Sequence, residues 1–147
     1  MSNRSVTPDY SALEIPMDVW SEPFWAAGAE GRLIMPRCGE CGTFRWPAGP
    51  FCATCQSQAV EWVPPGQARI YSYTVLPVPM GEAAEPGRRI PTLVAFDDAP
   101  GVRLVSALVD APLDEVAIDV PVEVHWQAAR NAAVPVFKLS PAAYEAG

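Results

Sequence analysis

The chain has 147 residues, half of them hydrophobic, and no apolar run approaches the about 20 residues that a transmembrane helix needs. Seventeen acidic against ten basic residues give a formal net charge of −7, and no basic run is longer than Arg88-Arg89. Nucleic-acid binding depends on clustered Lys and Arg, so this balance disfavours a nucleic-acid partner. Because residues 1–8 also hold no apolar signal core, we expect a soluble, cytoplasmic protein.

The N-terminal third is predicted to contain an arm and one helix. Residues 1–17 show no sustained period, whereas Ser21 suits a helix N-cap, Pro23 the first turn and Gly31 the helix end. Large aromatic residues lie on or near one face of this helix: Trp20, Phe24 and Trp25. Such residues either cover the core of a small domain or anchor another protein, and the two interpretations are compatible.

All four cysteines lie in two C-x-x-C pairs separated by ten residues, and these are Cys38, Cys41, Cys52 and Cys55. Each pair directs two thiols at one site, so together they supply the ligands of a closed tetrahedral zinc site. Gly42 follows the first pair and can adopt the positive φ of a tight turn. Between the pairs, Pro47, Gly49 and Pro50 favour a short chain reversal.

The alternatives for these cysteines are iron in the same ligand set, a redox dithiol, two disulfides or unrelated buried thiols. A redox pair usually begins a helix in a βαβ context, and disulfides need an oxidising compartment. This Pro- and Gly-rich segment does not offer such a helix. Residues 1–8 hold no apolar signal core that would direct the chain to an oxidising compartment. Because four thiolates leave no open position for water, we expect the zinc to be structural rather than catalytic.

The remaining pattern is mainly β. Short strands are predicted at 32–37 and 59–63, on either side of the cysteine pairs, and Pro64-Pro65-Gly66 is a candidate boundary. Five further strands are predicted at 68–76, 92–96, 102–109, 121–126 and 134–139. The sequence therefore predicts an arm and helix over 1–31, a zinc ribbon over 32–63 and a five-stranded OB-type barrel over 64–147. A β-sandwich is the alternative.

The chain offers few candidate catalytic groups. His125, the one histidine, falls in an alternating strand, where a wall residue is the simpler interpretation than a general base. Asp97-Asp98 and Asp114-Glu115 lie in predicted turns, which favours solvated acids. Once zinc is bound, no cysteine remains as a nucleophile. We expect no catalytic residue on this chain.

The order of these parts is similar to a known family. The matching residues are Pro23-Phe24-Trp25, Gly31-Arg32-Leu33, the two cysteine pairs with Gly42, Trp46-Pro47, Trp62, Gly66, Tyr71-Ser72-Tyr73-Thr74-Val75 and Pro135-Val136-Phe137-Lys138. The sequence resembles the OB-fold proteins with a rubredoxin-like zinc ribbon that are associated with acyl-CoA metabolism. The resemblance covers about Trp20 to Leu139.

The resemblance implies a non-catalytic subunit of a thiolase-fold enzyme that acts on acyl-CoA: a thiolase, an acyltransferase or an aldolase that shortens sterol side chains. The ribbon and helix would contact the enzyme, which makes Trp20, Phe24 and Trp25 the candidate interface. The barrel would help to enclose the CoA thioester, forming a hetero-oligomer. A nucleic-acid-binding OB and zinc-ribbon module is the alternative function.

Arg88 and Arg89 are candidates for the CoA phosphates. They are predicted to lie in the long connection, 77–89, between the first two barrel strands, and loops at this place in OB folds often contact ligands. Guanidinium groups suit phosphate. A solvated loop is the simpler interpretation, and the resemblance itself assigns these arginines no role.

Overall fold

The computed structural model describes residues 3–78 and 87–141. Within this part of the chain the elements are α1 (Glu22–Ala29), β1 (Met35–Cys38), β2 (Val60–Val63), β3 (Ala68–Tyr73), β4 (Leu76–Pro77), β5 (Arg88–Phe96), β6 (Leu104–Leu108), a 3₁₀ turn (Leu113–Glu115), β7 (Pro121–Ala128) and β8 (Ala133–Leu139). No helix among the described residues is long and apolar enough to cross a membrane.

Five strands close into a ring. β3 pairs with both β5 and β7, β7 with β8, β8 with β6, and β6 with β5, while the short β4 adds to β5. All these pairings are antiparallel except that of β6 with β8, which is parallel and registered only at Leu108 and Phe137. The mainly β prediction, with a zinc ribbon followed by an OB-type ring, is confirmed, and a two-sheet sandwich does not describe it.

The ring, the helix and the ribbon share one apolar core. Alternation along β5 buries Ile90, Val94 and Phe96, as expected of a strand with one face inside a barrel. Phe24 of α1, 2% exposed, and Met35 of β1 belong to the same cluster. Gly28 allows the close approach of α1, since a Cβ there would lie 2.8 Å from Cζ3 of Trp126 on β7.

The first barrel strand is shorter than predicted. It was expected over 68–76, but its pairing with β5 shifts register between Ile70 and Ser72, and β3 ends at Tyr73. The chain then resumes as β4, which pairs with the start of β5. Alternation in composition did not reveal this irregularity, because an inserted residue changes the register of a strand without changing its residue types.

The prediction that Arg88 and Arg89 lie in the connection is wrong. Both open β5, opposite Pro77 and Leu76 of β4, because the hairpin continues four residues before the predicted start at Thr92. Residues 79–86 of the predicted connection lie outside the described residues.

The N-terminal arm docks on the protein's own barrel. At its start, Ser5 donates its backbone N–H to the carbonyl of Ala111, and Val6 donates to that of Arg88, both at 2.8 Å. At its end, the amide side chain of Asn131 in the β7–β8 turn accepts from the N–H of Ile15 and donates to its carbonyl, also at 2.8 Å. We call residues 3–15 the N-terminal strap. The hydrogen-bond partners of the strap backbone named here therefore belong to its own chain.

Ser5→Ala should lower the free energy of unfolding by about 1–3 kcal/mol, as measured by urea titration. The hydroxyl is buried, donates to the carbonyl of Leu108 at 2.9 Å and accepts from the N–H of Ala111 at 3.0 Å. Its removal leaves both backbone groups without that partner. Thr7→Ala, in an exposed part of the strap, is the control and should change the value by less than about 0.5 kcal/mol. Equal effects of the two substitutions would contradict this account of the strap.

Candidate functional site

The four cysteine sulfur atoms converge on one point, all within 4.8 Å of one another. The Sγ atoms of Cys38 and Cys55 are 3.6 Å apart, and those of Cys41 and Cys52 are 3.5 Å apart. Four sulfurs placed about 2.3 Å from a tetrahedral zinc lie about 3.8 Å from each other, so the arrangement fits one ion. The donor set is that of a rubredoxin-like zinc ribbon, and the chain holds one structural zinc.

The first cysteine pair is shaped by a tight hydrogen-bonded turn. The N–H of Cys38 donates to the carbonyl of Thr43 at 2.8 Å, and the N–H of Gly42 donates to the carbonyl of Cys38 at 3.1 Å. The turn brings Gly42 to a φ of +80°, as predicted from its position after the pair. Glycine adopts this left-handed conformation without steric cost.

The second pair repeats the same turn. Cys52 donates its N–H to the carbonyl of Ser57 at 2.9 Å, and Gln56 donates to the carbonyl of Cys52 at 3.0 Å. Gln56, equivalent to Gly42, has a φ of 64°. Sequence reasoning missed this strained residue, although the equal spacing of the two pairs could have indicated it.

Backbone groups prepare the thiols for metal. The N–H groups of Cys55 and Thr54 lower the pKa of Cys52 to about 6, and the N–H groups of its own turn lower the pKa of Cys38. The N–H of Ser57 acts to lower the pKa of Cys55, but burial and the neighbouring thiols outweigh it and raise that pKa to about 12. Because the thiolate rather than the thiol binds zinc, affinity falls as the solution becomes acidic.

Arg45 fixes the segment between the cysteine pairs. Its guanidinium is buried and donates to the carbonyls of Gly49, Ser57 and Ala59 at 3.2, 3.0 and 3.2 Å. One side chain thus ties the loop to the strand that leaves the second turn. Sequence reasoning did not select Arg45, because an isolated arginine in a loop gives no sign that it is buried.

The predicted interface aromatics do not share one environment. Phe24 lies in the chain's own core, with its ring centroid 4.8 Å from that of Trp46, so the core interpretation holds for it and the interface prediction is corrected. Trp25 is half-buried and packs edge-on against Phe24. Trp20 is 45% exposed and lines a cavity of about 390 Å³ between the start of α1 and the ribbon, beside Val60 and Trp62. Trp20 is therefore the most accessible of the three.

The predicted acid–base candidates have structural surroundings. His125, half-exposed on β7, lies 3.5 Å from the carboxylate of Glu123. Asp97 pairs with Arg69 at 3.0 Å and holds the end of β5 to β3.

Arg88 and Arg89 do not form a joint site. Adjacent residues of a strand point to opposite faces, and Arg89 lines a cavity with Pro8, Asp9 and Tyr10 of the strap. Arg88 instead carries the carbonyl that accepts from Val6 and donates its own Nη1–H to the carbonyl of Gly87 at 3.2 Å. This geometry therefore does not support a site in which Arg88 and Arg89 bind the same phosphate group.

Two family models match consecutive parts of the chain: the rubredoxin-like zinc-ribbon domain of ChsH2 over residues 25–61 and its C-terminal OB-fold domain over 62–127. A chain of the Ltp2-ChsH2(DUF35) aldolase is 30% identical, with a TM-score of 0.72, covering 86% of this chain and 98% of that one. The chain belongs to the ChsH2 (DUF35) family.

Other relatives extend this comparison. A protein of Thermomonospora curvata called a probable enoyl-CoA hydratase alpha subunit is 36% identical over 119 residues, covering 78% of this chain and 36% of its own length. The chain thus spans about a third of that curated relative. A DUF35-family structure from Sulfolobus solfataricus, of unknown function, is 17% identical with a TM-score of 0.61, covering 84% and 87% of the two chains. At that identity the likeness shows only the ChsH2-type fold.

Purified protein should contain one zinc per chain by elemental analysis, with four sulfur ligands at about 2.3 Å by X-ray absorption. Cys52→Ser should lose most of this metal and unfold the ribbon, since a closed thiolate site couples metal binding to folding. Ser57→Ala, which keeps the backbone carbonyl that pairs with Cys52, is the control and should keep full metal content. A folded wild-type protein without metal would contradict the assignment.

Gly42→Ala should lower the free energy of unfolding of the zinc-bound protein by about 1–2 kcal/mol, because alanine is strained at a φ of +80°. No atom lies within 4 Å of the added methyl, so the effect isolates the backbone. Gly49→Ala meets the same open space without the positive φ and serves as the control. Gln56→Gly should not lower stability and should raise it by up to about 1 kcal/mol. Equal losses at positions 42 and 49 would be inconsistent with the strain argument.

Proposed function

We propose that this chain is a non-catalytic zinc-binding subunit of a thiolase-fold enzyme that acts on acyl-CoA thioesters. The observation that carries the proposal is the match to almost the whole ChsH2(DUF35) chain of an aldolase that also contains Ltp2. The expected enzyme is a thiolase, an acyltransferase or a side-chain aldolase. In this scheme the chain scaffolds the enzyme in the cytoplasm and helps to bind the thioester, while the partner supplies the catalytic groups.

The surface next to the metal centre supports an interface. Val19 and Trp20 at the start of α1, and Phe51 and Val60 of the ribbon, are exposed although large and apolar. Val19, Trp20 and Val60 border the same cavity of about 390 Å³. Aromatic residues beside a pocket are common anchors of protein interfaces. The zinc would then hold the ribbon side of this surface in a fixed shape.

The inventory of reactive groups supports an accessory role. The four cysteines occupy the metal site, and closed Cys₄ coordination offers no position for substrate or water. His125 and Asp97 already have structural partners. The proposal therefore places the nucleophile and the acid–base groups on the other subunit.

Coexpression with the thiolase-like protein encoded beside this chain should give one complex by size exclusion. Trp20→Ala should weaken that complex at least tenfold, because a central aromatic anchor typically contributes about 2 kcal/mol or more. Ile118→Ala removes an apolar side chain that is 58% exposed, against 45% for Trp20, and does not border this cavity, so it should leave the affinity unchanged. Zinc content should stay the same in both variants.

Two results would overturn the proposal. One is a chain that stays monomeric with each neighbouring thiolase-like protein while those enzymes are fully active alone. The other is acyl-CoA turnover by the chain itself that survives removal of contaminating enzymes.

A further inference from the structure

Arg45 is anchored on the first cysteine turn. Its backbone N–H donates to the carbonyl of Pro36 at 2.8 Å, and the carbonyl of Thr43 accepts from the N–H of Cys38 at the same distance. The chain after the first cysteine pair therefore runs back along β1. The side chain of Arg45 thus starts from a backbone position that is fixed to the first turn.

The guanidinium of Arg45 reaches the second cysteine turn. Its Nη2 donates to the carbonyl of Ser57 at 3.0 Å, and this carbonyl also accepts from the N–H of Cys52 at 2.9 Å. The same Nη2 donates at 3.2 Å to the carbonyl of Ala59, which accepts from the N–H of Gly39 in the first turn at 3.1 Å. A carbonyl oxygen has two lone pairs and can accept both donors. One nitrogen atom therefore contacts an acceptor from the hydrogen bonds of each turn.

This position is costly for a cation. Arg45 is 7% exposed, and its Nε is buried without a hydrogen-bond partner in the part of the chain that the structure describes. No carboxylate of the described residues forms an ion pair with it. A buried charge destabilises a fold unless an opposite charge compensates it. Four thiolates around one Zn²⁺ have a net charge of −2 and lie on the same two turns, so the metal centre is the negative group that best accounts for this guanidinium.

We propose that Arg45 is a positioning residue of the zinc centre, which links the two cysteine turns so that they open together rather than one at a time. A metal held by two independent turns can leave in steps, since two ligands detach while the other two still hold it. When one side chain is hydrogen-bonded to both turns, the opening of one turn breaks contacts that order the other. Arg45 therefore slows the release of zinc. The inference concerns the metal centre and does not depend on the proposed function.

The test measures how fast the full zinc-loaded chain transfers its metal to a metallochromic chelator present in large excess. Arg45→Met removes every hydrogen bond of the guanidinium and should speed release at least about tenfold, as is usual when a group that orients metal ligands is lost. Arg45→Lys keeps the charge but cannot donate to three carbonyls in a fixed fork, so it should also speed release, to a smaller extent. If Arg45→Met takes up no zinc, Arg45→Lys carries the same comparison.

Arg37→Met is the matched control, because it removes an arginine from β1 of the same ribbon. The side chain of Arg37 is 39% exposed and pairs with Glu61 at 2.7 Å. Among the described residues, its guanidinium has no hydrogen bond to either cysteine turn. An exposed ion pair contributes little, so release from this variant should stay within about twofold of the wild-type rate.

A second measurement distinguishes linked turns from a general loss of stability. Gly42→Ala adds strain to the first turn and Gln56→Gly removes strain from the second, because these positions have φ values of +80° and 64°. While Arg45 links the turns, both open in one step, so Gln56→Gly should slow release from the Gly42→Ala chain at least about threefold. In the Arg45→Met background, zinc leaves through the strained first turn, and Gln56→Gly should not change the rate. A residue that only stabilised the ribbon would leave the response to Gln56→Gly unaltered.

The inference is supported by faster release that is confined to the Arg45 variants, together with loss of the response to Gln56→Gly. It is wrong if both Arg45 variants release zinc at the wild-type rate, or if Arg37→Met accelerates release as much as Arg45→Met. A response to Gln56→Gly that is the same with and without Arg45→Met would also refute it, because the turns would then not be linked through this side chain.

Discussion

The convergence of four sulfur atoms on one ion is the constraint on which the N-terminal half depends. The ribbon sheet consists of only β1 and β2, four residues each, and an isolated two-stranded sheet is marginal in water. The metal joins the two cysteine turns, and the loop held by Arg45 lies between them. The first of these turns begins at Cys38, the last residue of β1. Met35 begins that same strand and is part of the shared core. The coordination sphere and the barrel interior are therefore connected through four residues of chain.

This connection determines which parts of the surface can recognise another molecule. Phe24 and Met35 pack in the core that joins the helix and ribbon to the barrel. They therefore make the fold rigid and are not accessible to a partner protein. Trp20 lies four residues before Phe24, just before the same helix begins at Glu22, and remains exposed. A rigid support beneath an exposed aromatic lowers the entropy cost of binding, because little has to be ordered on contact. The residues that stabilise the fold thus also hold the neighbouring exposed surface in a fixed conformation.

Much of the fold was predictable because it depends on strong local signals. Two cysteine pairs at metal-ligand spacing indicated the ribbon, Gly42 its turn, and alternating β-branched residues the five ring strands. The bounds of β5 were not predictable, since the arginines at its start resemble a loop and its partner β4 has only two residues. The burial of Phe24, the docking of the strap and the burial of Arg45 depend on contacts between distant residues. Composition and period carry no information about such contacts. The cavity of about 560 Å³, which is lined by five separate segments of chain, could not be predicted from the sequence for the same reason.

The single registered pair between β6 and β8 has a further consequence for the behaviour of the protein in concentrated solution. Where β6 and β8 separate, both strands present backbone that no neighbour in the ring fully covers. Unpaired strand edges are templates on which another chain can add a strand, and this is a common route to aggregation. Pro135 on β8 has no N–H to offer, and the hydroxyl of Ser106 already occupies its carbonyl. Pro135 and Ser106 therefore withhold one donor and one acceptor from a foreign strand at this gap.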